Sequence, residues 1–173
     1  MNMLRQTFVL LFFALILGFG VNSFHPKAIP LIGEYRQLAD GSEPIVPPSA
    51  SAGDPPFIAI NDAKLVYEAG ISLFIDARDP SEFECGTIPG SINMPFEYLP
   101  EDSLELYMDS VLSGAPKEQT MIVFCSGEEC DVSLHLARNL QAFGYTGVKI
   151  FFGGAREWEN FELEIERRVD CAE

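Results

Sequence analysis

The sequence predicts an α/β domain in which a small parallel sheet is flanked by helices. Three short apolar runs, 73–75, 121–124 and 148–152, have the length and composition of strands buried on both faces. Segments with apolar residues at helical spacing lie between these runs. Strands that alternate with helices are joined by parallel crossover connections, so we expect the strands to run in one direction.

The helices around these strands are predicted from capping residues, spacing and glycine stops. The first follows the capping sequence Ile60-Asn61-Asp62 and ends at Gly70. A second, partly helical face lies between residues 101 and 113, and its apolar members are Leu104, Leu106, Tyr107, Val111 and Leu112. The third helix ends at Gly144, and its apolar face consists of Val132, Leu136, Leu140 and Phe143. We expect this third helix to pack that face on the sheet.

The N-terminal part of the chain has a different composition. Residues 8–21 carry no charge and are preceded by Arg5, which is typical of an export signal or a short membrane anchor. This run of about fourteen residues is shorter than the roughly twenty that usually span a bilayer. No clear Ala-x-Ala cleavage site follows it, so we favour an uncleaved anchor.

We therefore divide the chain into a signal or anchor segment (1–24), a stalk rich in proline and serine (25–56) and a domain (57–173). The domain is expected outside the cytoplasm, which means the periplasm in a Gram-negative cell. Cleavage of the first segment would instead release a soluble secreted or periplasmic protein. The formal net charge of −15 and the absence of a basic stripe argue against nucleic-acid binding.

Cys125 is the candidate reactive residue. It ends the apolar run 121–124 and is followed by Ser126, Gly127, Glu128, Glu129, Cys130, Asp131, Val132 and Ser133, after which the helical pattern begins. A loop of this kind points backbone N–H groups and a positive helix end at the sulfur, which favours thiolate over thiol.

Three further segments accompany this loop in order: 73–83 with Asp76-Ala-Arg78 and Glu82-Phe83, 86–95 with Gly-Thr-Ile-Pro-Gly-Ser, and Gly153-Gly-Ala-Arg-Glu-Trp158. Together with the cysteine loop they resemble the rhodanese homology domain over roughly residues 57 to 160. The resemblance implies a three-layer α/β fold and a sulfurtransferase in which Cys125 carries a persulfide. It also implies that Asp76 and Arg78 brace the site by hydrogen bonds and by an ion pair with Glu82.

The loop departs from the family pattern in its charge. Glu128, Glu129 and Asp131 stand where sulfurtransferases of the family usually have Arg or Lys. These acids are expected to raise the pKa of Cys125 and to repel thiosulfate, so a persulfide is the expected donor. Asp131 also occupies the position of the arginine in the Cys-x5-Arg loop of the phosphatase and arsenate-reducing branches, so we reject both activities. Thr87 replaces the family's usual histidine.

Cys130 is the second departure, because it places another thiol five positions after Cys125. Cys130 could resolve a Cys125 persulfide by forming a disulfide, and it is our preferred partner for Cys125. We expect Cys85, interpreted as a packing residue at a helix end, and Cys171 to remain separate. Cys-x4-Cys without a nearby histidine does not favour a metal site, and no cofactor is expected.

Four other side chains have expected positions, and one of them, Ser133, has two possible roles. Ser133 either caps the helix after the loop, which is the commoner use of serine there, or donates to the cysteine sulfur. His135 lies off the apolar stripe and is expected at the surface. Trp158 and Phe161 are expected to complete the core.

The sequence thus predicts a membrane-anchored rhodanese-like sulfurtransferase with a sulfane sulfur donor and a thiol acceptor. Two alternatives remain open. One is a dithiol–disulfide exchanger that uses Cys125 and Cys130, and the other is a non-catalytic acidic docking module with a structural loop disulfide.

Overall fold

The computed structural model describes residues 3–24, 41–100, 102–112, 114–127 and 130–171. The helices are α1 (Met3–Phe24), α2 (Ile60–Glu68), α3 (Pro80–Cys85), α4 (Leu104–Val111), α5 (Val132–Ala142) and α6 (Gly154–Asn160). The strands are β1 (Leu73–Asp76), β2 (Ile92–Asn93), β3 (Met121–Phe124) and β4 (Val148–Phe151). Glu128, Glu129 and residues 25–40 of the expected stalk lie outside the described residues.

The four strands form one parallel sheet in the order β2-β1-β3-β4. The register aligns Asp76 at the end of β1 with Phe124 at the end of β3, and Phe124 with Phe151 at the end of β4. The residues that follow these strands therefore meet at one edge of the sheet. The predicted parallel α/β class is confirmed.

The core has two halves because successive side chains along each strand point to opposite faces of the sheet. On one face Ile75, Val123 and Ile150 pack with the buried side of α5. On the other face Phe74, Phe124 and Phe151 pack with α2 and with Trp158 of α6. Trp158 is buried and Phe161 packs at the margin of this second half, as the sequence predicts. The result is a helix–sheet–helix sandwich.

Two details of the helices differ from the sequence-based expectation. Helix α2 begins at Ile60 with Ala59 in the N-cap position, so Asn61 and Asp62 lie inside the first turn and do not cap it. In α4, Leu106 is 73% exposed and does not belong to the buried face, whereas Met108 is buried. A short helix gives too few turns for spacing alone to fix which side faces the core.

Residues 41–56, within the segment expected to be a stalk, contact the domain. Asp54 accepts hydrogen bonds from Arg138 of α5, with an Nε–Oδ1 distance of 2.7 Å. Pro56 O accepts a hydrogen bond from the backbone N–H of Ile150, and the N–H of Ile58 donates to Ile150 O. The chain thus joins the free edge of β4 just before α2 begins.

The C-terminal residues 164–171, here called the C-terminal strap, return across α3. Thr87 and Glu166 form an antiparallel bridge, and the N–H of Arg168 donates to Glu84 O at 2.8 Å. A disulfide joins Cys85 to Cys171, whose Cα atoms are 5.5 Å apart. The expectation that these cysteines remain separate is wrong, because the strap brings two residues that are distant in sequence to the same place.

Helix α1 is described by itself. Its segment Arg5–Asn22 has a mean hydropathy of 1.6, and α1 is the one described helix that is long and apolar enough to cross a membrane. A signal sequence has the same properties.

Replacing Cys171 with serine tests the cross-link between the strap and α3. The bridge joins residues 86 positions apart, and removing a native disulfide typically costs about 2–4 kcal/mol. We expect the free energy of unfolding to fall by about that amount, measured by denaturant titration of the full chain in mild detergent without reductant. Cys130→Ser is the matched control, because Cys130 is a free thiol. Superimposable curves for Cys171→Ser and the wild type would show that the bridge contributes no stability.

Candidate active site

The candidate site lies at the carboxyl edge of the parallel sheet. Asp76 is the last residue of β1, Cys125 follows β3 directly, and Gly153-Gly154 follow β4 by one residue. Ligand sites of open α/β sheets typically occur outside the carboxyl ends of the strands. The parallel topology therefore brings together the segments that contain Asp76, Cys125 and Gly153-Gly154.

Asp76 and Arg78 form a buried, bidentate ion pair. Arg78 Nε donates to Asp76 Oδ1 at 2.9 Å, and its Nη2 donates to Oδ2 at 2.6 Å. The hydroxyl of Thr87 also donates to Oδ2, at 2.8 Å, and Arg78 Nη2 reaches Gly86 O at 2.6 Å. Thr87 is completely buried. The residue that stands in place of the family's usual histidine is thus a partner of Asp76, which sequence reasoning did not anticipate.

Glu82 is exposed and lies near this pair without joining it. Among the described residues, the ion pair of Arg78 is with Asp76, so the expected Arg78–Glu82 ion pair is not formed. Partial desolvation of the Glu82 carboxyl raises its pKa; the charge of Arg78 opposes this effect, and Cys130 adds to it. The interaction with Cys130 places Glu82 in the electrostatic neighbourhood of the cysteine loop.

Cys125 is fully buried behind the loop. Its Sγ lies 2.8 Å from Cys130 O, 3.3 Å from Ser133 Oγ and 3.9 Å from Gly127 O. The hydrogen bond with the Cys130 thiol and burial raise the pKa of Cys125, whereas Ser133 and Gly127 act in the opposite direction. A thiol that faces carbonyl oxygens keeps its proton in the resting site.

Cys130 is partly exposed. Its surroundings favour the thiolate, whereas those of Cys125 favour the thiol. The Cys125 thiol donates to its sulfur, and desolvation acts against this effect; the N–H of Val132 and both the hydroxyl and the N–H of Ser126 add to it. These donors lower the pKa of Cys130 to about 5. Val132 is the first residue of α5, so the positive end of this helix faces the Cys130 sulfur.

The structure favours the resting thiolate on Cys130, whereas the sequence predicted it on Cys125. The sequence suggested that the loop N–H groups favour a thiolate on Cys125, but the structure directs more of them to Cys130. The sequence also suggested that the acidic loop residues raise the pKa of Cys125. Its pKa is raised, but the causes are the hydrogen bond with Cys130 and burial, and Glu128 and Glu129 lie outside the described residues. Both residues are free cysteines rather than a disulfide, and Cys125 Sγ lies 2.8 Å from Cys130 O.

The remaining loop residues have definite places. Asp131 occupies the N-cap position of α5 without a side-chain capping bond, and Gly127 O accepts the N–H of Cys130 at 2.9 Å. Ser133 lies inside the first turn of α5 against Cys125 Sγ, so its contact is with the sulfur and the capping interpretation is wrong. His135 is exposed, as predicted, and stacks on Phe96.

Gly154 explains why glycines follow β4. Its φ is +63°, and a Cβ there would overlap Cys125 O. Because the glycine has no side chain, the N–H of Ala155 donates to Cys125 O at 2.9 Å, and the N–H of Arg156 donates to Ser126 O at 3.1 Å. The start of α6 thus holds the backbone of the cysteine loop.

A cleft of about 380 Å³ adjoins the loop. It is lined by residues of α3, the loop, α6 and the C-terminal strap, including Arg78, Glu82, Ser126, Arg156, Glu159 and Arg167. Sequence reasoning did not single out Arg156 or Arg167, because nothing in the local pattern shows that α6 and the strap meet beside Ser126. No group of three or more His, Cys, Asp or Glu side chains suits a metal ion in the part of the chain that the structure describes.

Comparisons with known proteins identify the family of this chain. The family model described as the rhodanese-like domain matches residues 60–161, more than half of the chain. The human thiosulfate:glutathione sulfurtransferase is 29% identical over 110 residues, which cover 60% of this chain and 92% of that protein.

Two solved structures are also similar to this chain. The human single-domain sulfurtransferase TSTD1 is 26% identical, with a TM-score of 0.49 and coverage of 58% of this chain and 92% of that one. The thiosulfate sulfurtransferase from Pseudomonas aeruginosa is 21% identical, with a TM-score of 0.55; the match covers 68% of this chain and 21% of that one. At this identity the second structure supports the fold alone.

The substitution Asp76→Ala tests the buried ion pair. It leaves the Arg78 guanidinium buried without its carboxylate, and breaking such a pair typically costs about 3–5 kcal/mol. We expect a loss of that size in the free energy of unfolding, measured by denaturant titration. Asp54→Ala is the matched control, because it breaks another two-bond Asp–Arg pair whose arginine is 32% exposed. Equal losses in the two variants would contradict a special role for burial at Asp76.

The lowered pKa of Cys130 predicts a pH profile for alkylation. Iodoacetamide reacts with thiolate, so labelling of Cys130 should rise as the pH rises through about 5 and level off above it. Cys125→Ala removes the donor that lowers this pKa most and should move the rise to higher pH. Cys125→Ser retains a donor and should move it less. Peptide mapping across the pH range measures all three, and a wild-type midpoint near the ordinary value of about 8.5 would contradict the coupling.

Proposed function

Because this chain belongs to the rhodanese-like domain family, we propose that it is a sulfurtransferase that forms a persulfide on Cys125 and passes the sulfane sulfur to a thiol acceptor. The observation that carries the proposal is the position of the buried Cys125 Sγ at the carboxyl edge of the sheet, 2.8 Å from the backbone O of Cys130, which is itself a free thiol. Ser133 and the N–H of Gly127 complete the surroundings of the Cys125 sulfur. In this arrangement Cys125 would carry the persulfide, and Cys130 would accept the proton of the Cys125 thiol and later return it.

In the first step, the Cys125 sulfur attacks the outer sulfur of a donor persulfide, R–S–SH. The donor S–S bond breaks, R–S⁻ leaves with the electron pair, and Cys125 becomes Cys–S–SH. The proton of the Cys125 thiol passes to the Cys130 thiolate in the same step. Cys130 therefore serves as the base that the buried Cys125 needs in order to become a nucleophile.

The second step discharges the persulfide. An acceptor thiolate attacks the outer sulfur of Cys125–S–SH, the S–S bond breaks, and an acceptor persulfide leaves. Cys125 is released as a thiolate and recovers its proton from Cys130. The loop N–H groups and the Ser133 hydroxyl stabilise the negative charge on sulfur while this transfer takes place.

The donor we favour is a persulfide of a protein or a small thiol. Two relatives carry thiosulfate in their names, but this chain has Asp131 and two further acids in the loop where a doubly charged anion would approach. A persulfide carries less negative charge and is repelled less. Thiosulfate is expected to be a poor donor.

A dithiol–disulfide exchanger is the second candidate, supported by the proximity of two free thiols. The Cys130 thiolate would attack a substrate disulfide and displace one substrate thiolate, and Cys125 would then displace the second from the mixed disulfide, leaving a Cys125–Cys130 disulfide. An external thiol would then reduce the disulfide and itself become oxidised. The third candidate is a non-catalytic docking module, in which neither thiol would react.

We propose that α1 (Met3–Phe24) anchors the domain and that the domain lies outside the cytoplasm. The length and apolarity of the helix support an anchor or a signal sequence. We keep residues 57–173 as the catalytic domain and residues 25–56 as its connector to the anchor. The net charge of −15 supports neither nucleic acid nor anionic lipid as a partner of the domain.

Persulfide mapping distinguishes these functions. After exposure of the mildly reduced full chain to a polysulfide, intact-mass spectrometry should show added sulfur, and peptide mapping should place it on Cys125. The adduct should be absent in Cys125→Ser and should accumulate in Cys130→Ser at a slower rate, because the base is lost but the nucleophile remains. A Cys125–Cys130 disulfide without any adduct would favour dithiol exchange, and no modification at either thiol would favour docking.

A further inference from the structure

We propose that the Cys85–Cys171 disulfide is a thiol-exchange site whose opening releases the outer half of the C-terminal strap, residues 168–171, and widens the cleft beside Ser126. This exchange would control access to the cysteine loop whichever sulfur chemistry takes place there. The sulfur transfer proposed above gives the disulfide no part, so the two proposals stand or fall separately.

The strap forms one side of the cleft. Ile165 and Arg167 of the strap line it, next to Cys85 at the end of α3. Ser126 lines the same cleft, and its hydroxyl and N–H both reach the Cys130 sulfur. A change in the position of the strap therefore changes the space through which a molecule approaches the cysteine loop.

The inner half of the strap, residues 164–167, is held to the domain without the disulfide. Thr87 and Glu166 exchange two backbone hydrogen bonds, of 3.0 and 2.9 Å. The Trp158 Nε1–H donates to Glu164 O at 2.9 Å, and Trp158 is buried in the core. We therefore expect the inner half to stay in place when the disulfide opens.

The outer half has weaker contacts, and all of its residues are exposed. The backbone N–H groups of Arg168 and Val169 share one acceptor, Glu84 O, at 2.8 and 3.3 Å. The Arg168 guanidinium lies over the Phe83 ring, 4.2 Å from its centroid. An ion pair joins Arg168 to Glu166, but both residues belong to the strap. Exposed contacts of these kinds are individually weak, so the disulfide is what keeps the outer half closed.

The two sulfurs of the bridge differ in access, because Cys171 is exposed and Cys85 is half-buried. An incoming thiolate, R–S⁻, therefore attacks Cys171 Sγ. The S–S bond breaks, Cys85 leaves with the electron pair and takes up a proton, and a mixed disulfide remains on Cys171. A second thiolate attacks the R sulfur, giving R–S–S–R and the Cys171 thiolate. Two external thiols are thus oxidised while the protein disulfide is reduced by the same two electrons.

The exchange step is tested on the oxidised full chain in mild detergent. The protein is exposed briefly to 2-mercaptoethanol, released thiols are trapped with iodoacetamide, and the products are mapped by peptide mass spectrometry. The first product should carry mercaptoethanol on Cys171 and the alkyl group on Cys85. Mercaptoethanol mainly on Cys85, or a bridge that opens only when the protein is unfolded in denaturant, would overturn the exchange site.

The widening of the cleft is tested by labelling Cys130, which is a free thiol. N-Ethylmaleimide and the bulkier N-pyrenylmaleimide carry the same reactive group, so the ratio of their labelling rates reports the space around the thiol. Because both reagents attack the same thiolate, a change in the pKa of Cys130 cancels in this ratio. The double variant Cys85→Ser/Cys171→Ser should raise the relative rate of the pyrenyl reagent by about tenfold, since the outer half opens without its tether.

Two further samples make this result decisive. Wild-type protein opened with 2-mercaptoethanol and then desalted should match the double variant, and it carries no substitution that could disturb folding. Asp54→Ala is the matched control, because it breaks an ion pair with Arg138 outside the cleft and retains the bridge; its ratio should equal that of the oxidised wild type. An unchanged ratio in the opened wild type, or an equal rise in Asp54→Ala, would show that the strap does not control access. Neither assay measures persulfide loading, so neither outcome decides the proposed sulfur transfer.

Discussion

The buried ion pair between Asp76 and Arg78 is the interaction on which the rest of the site depends. Arg78 is brought out of water, so its charge must be matched by the two Asp76 oxygens and by Gly86 O. The same carboxylate accepts the Thr87 hydroxyl, while Asn93 donates to Asp76 O and Arg78 O. One pair thus connects β1 to Gly86 and Thr87, the residues that directly follow α3, and it holds α3 where Glu82 and Cys85 reach the cleft.

The cysteine pair divides the requirements of sulfur chemistry between two environments. Cys125 is buried, so the persulfide that we propose there would be protected from water. Burial also makes it a poor acid, and this disadvantage is offset by a neighbour whose sulfur receives donors from Ser126 and Val132. A single buried thiol would be protected from solvent but would keep its proton and react slowly. A neighbouring Cys130 thiolate that accepts this proton would let Cys125 be both buried and reactive.

Local patterns were sufficient to predict β1, β3, β4 and α5, since their apolar spacing is strong, and the loop spacing predicted that Cys130 lies near Cys125. The two residues of β2 are too few to give a periodic signal, and their pairing is set by β1. Contacts between distant segments were the main omission. Thr87 against Asp76, Cys171 against Cys85 and Arg156 beside Ser126 all depend on where the chain returns, and cysteine spacing alone does not determine connectivity.

The strap disulfide has a consequence for how the protein is handled in the laboratory and in the cell. The same chain needs Cys85 and Cys171 oxidised while Cys125 and Cys130 are reduced. A strong reductant that regenerates the thiol pair also threatens the bridge, since Cys171 is exposed. Production in a reducing compartment would give intact thiols with an untied strap. The protein is therefore best produced under oxidising conditions and then treated with a weak reductant. This reductant should keep Cys125 and Cys130 as thiols without reducing the Cys85–Cys171 disulfide.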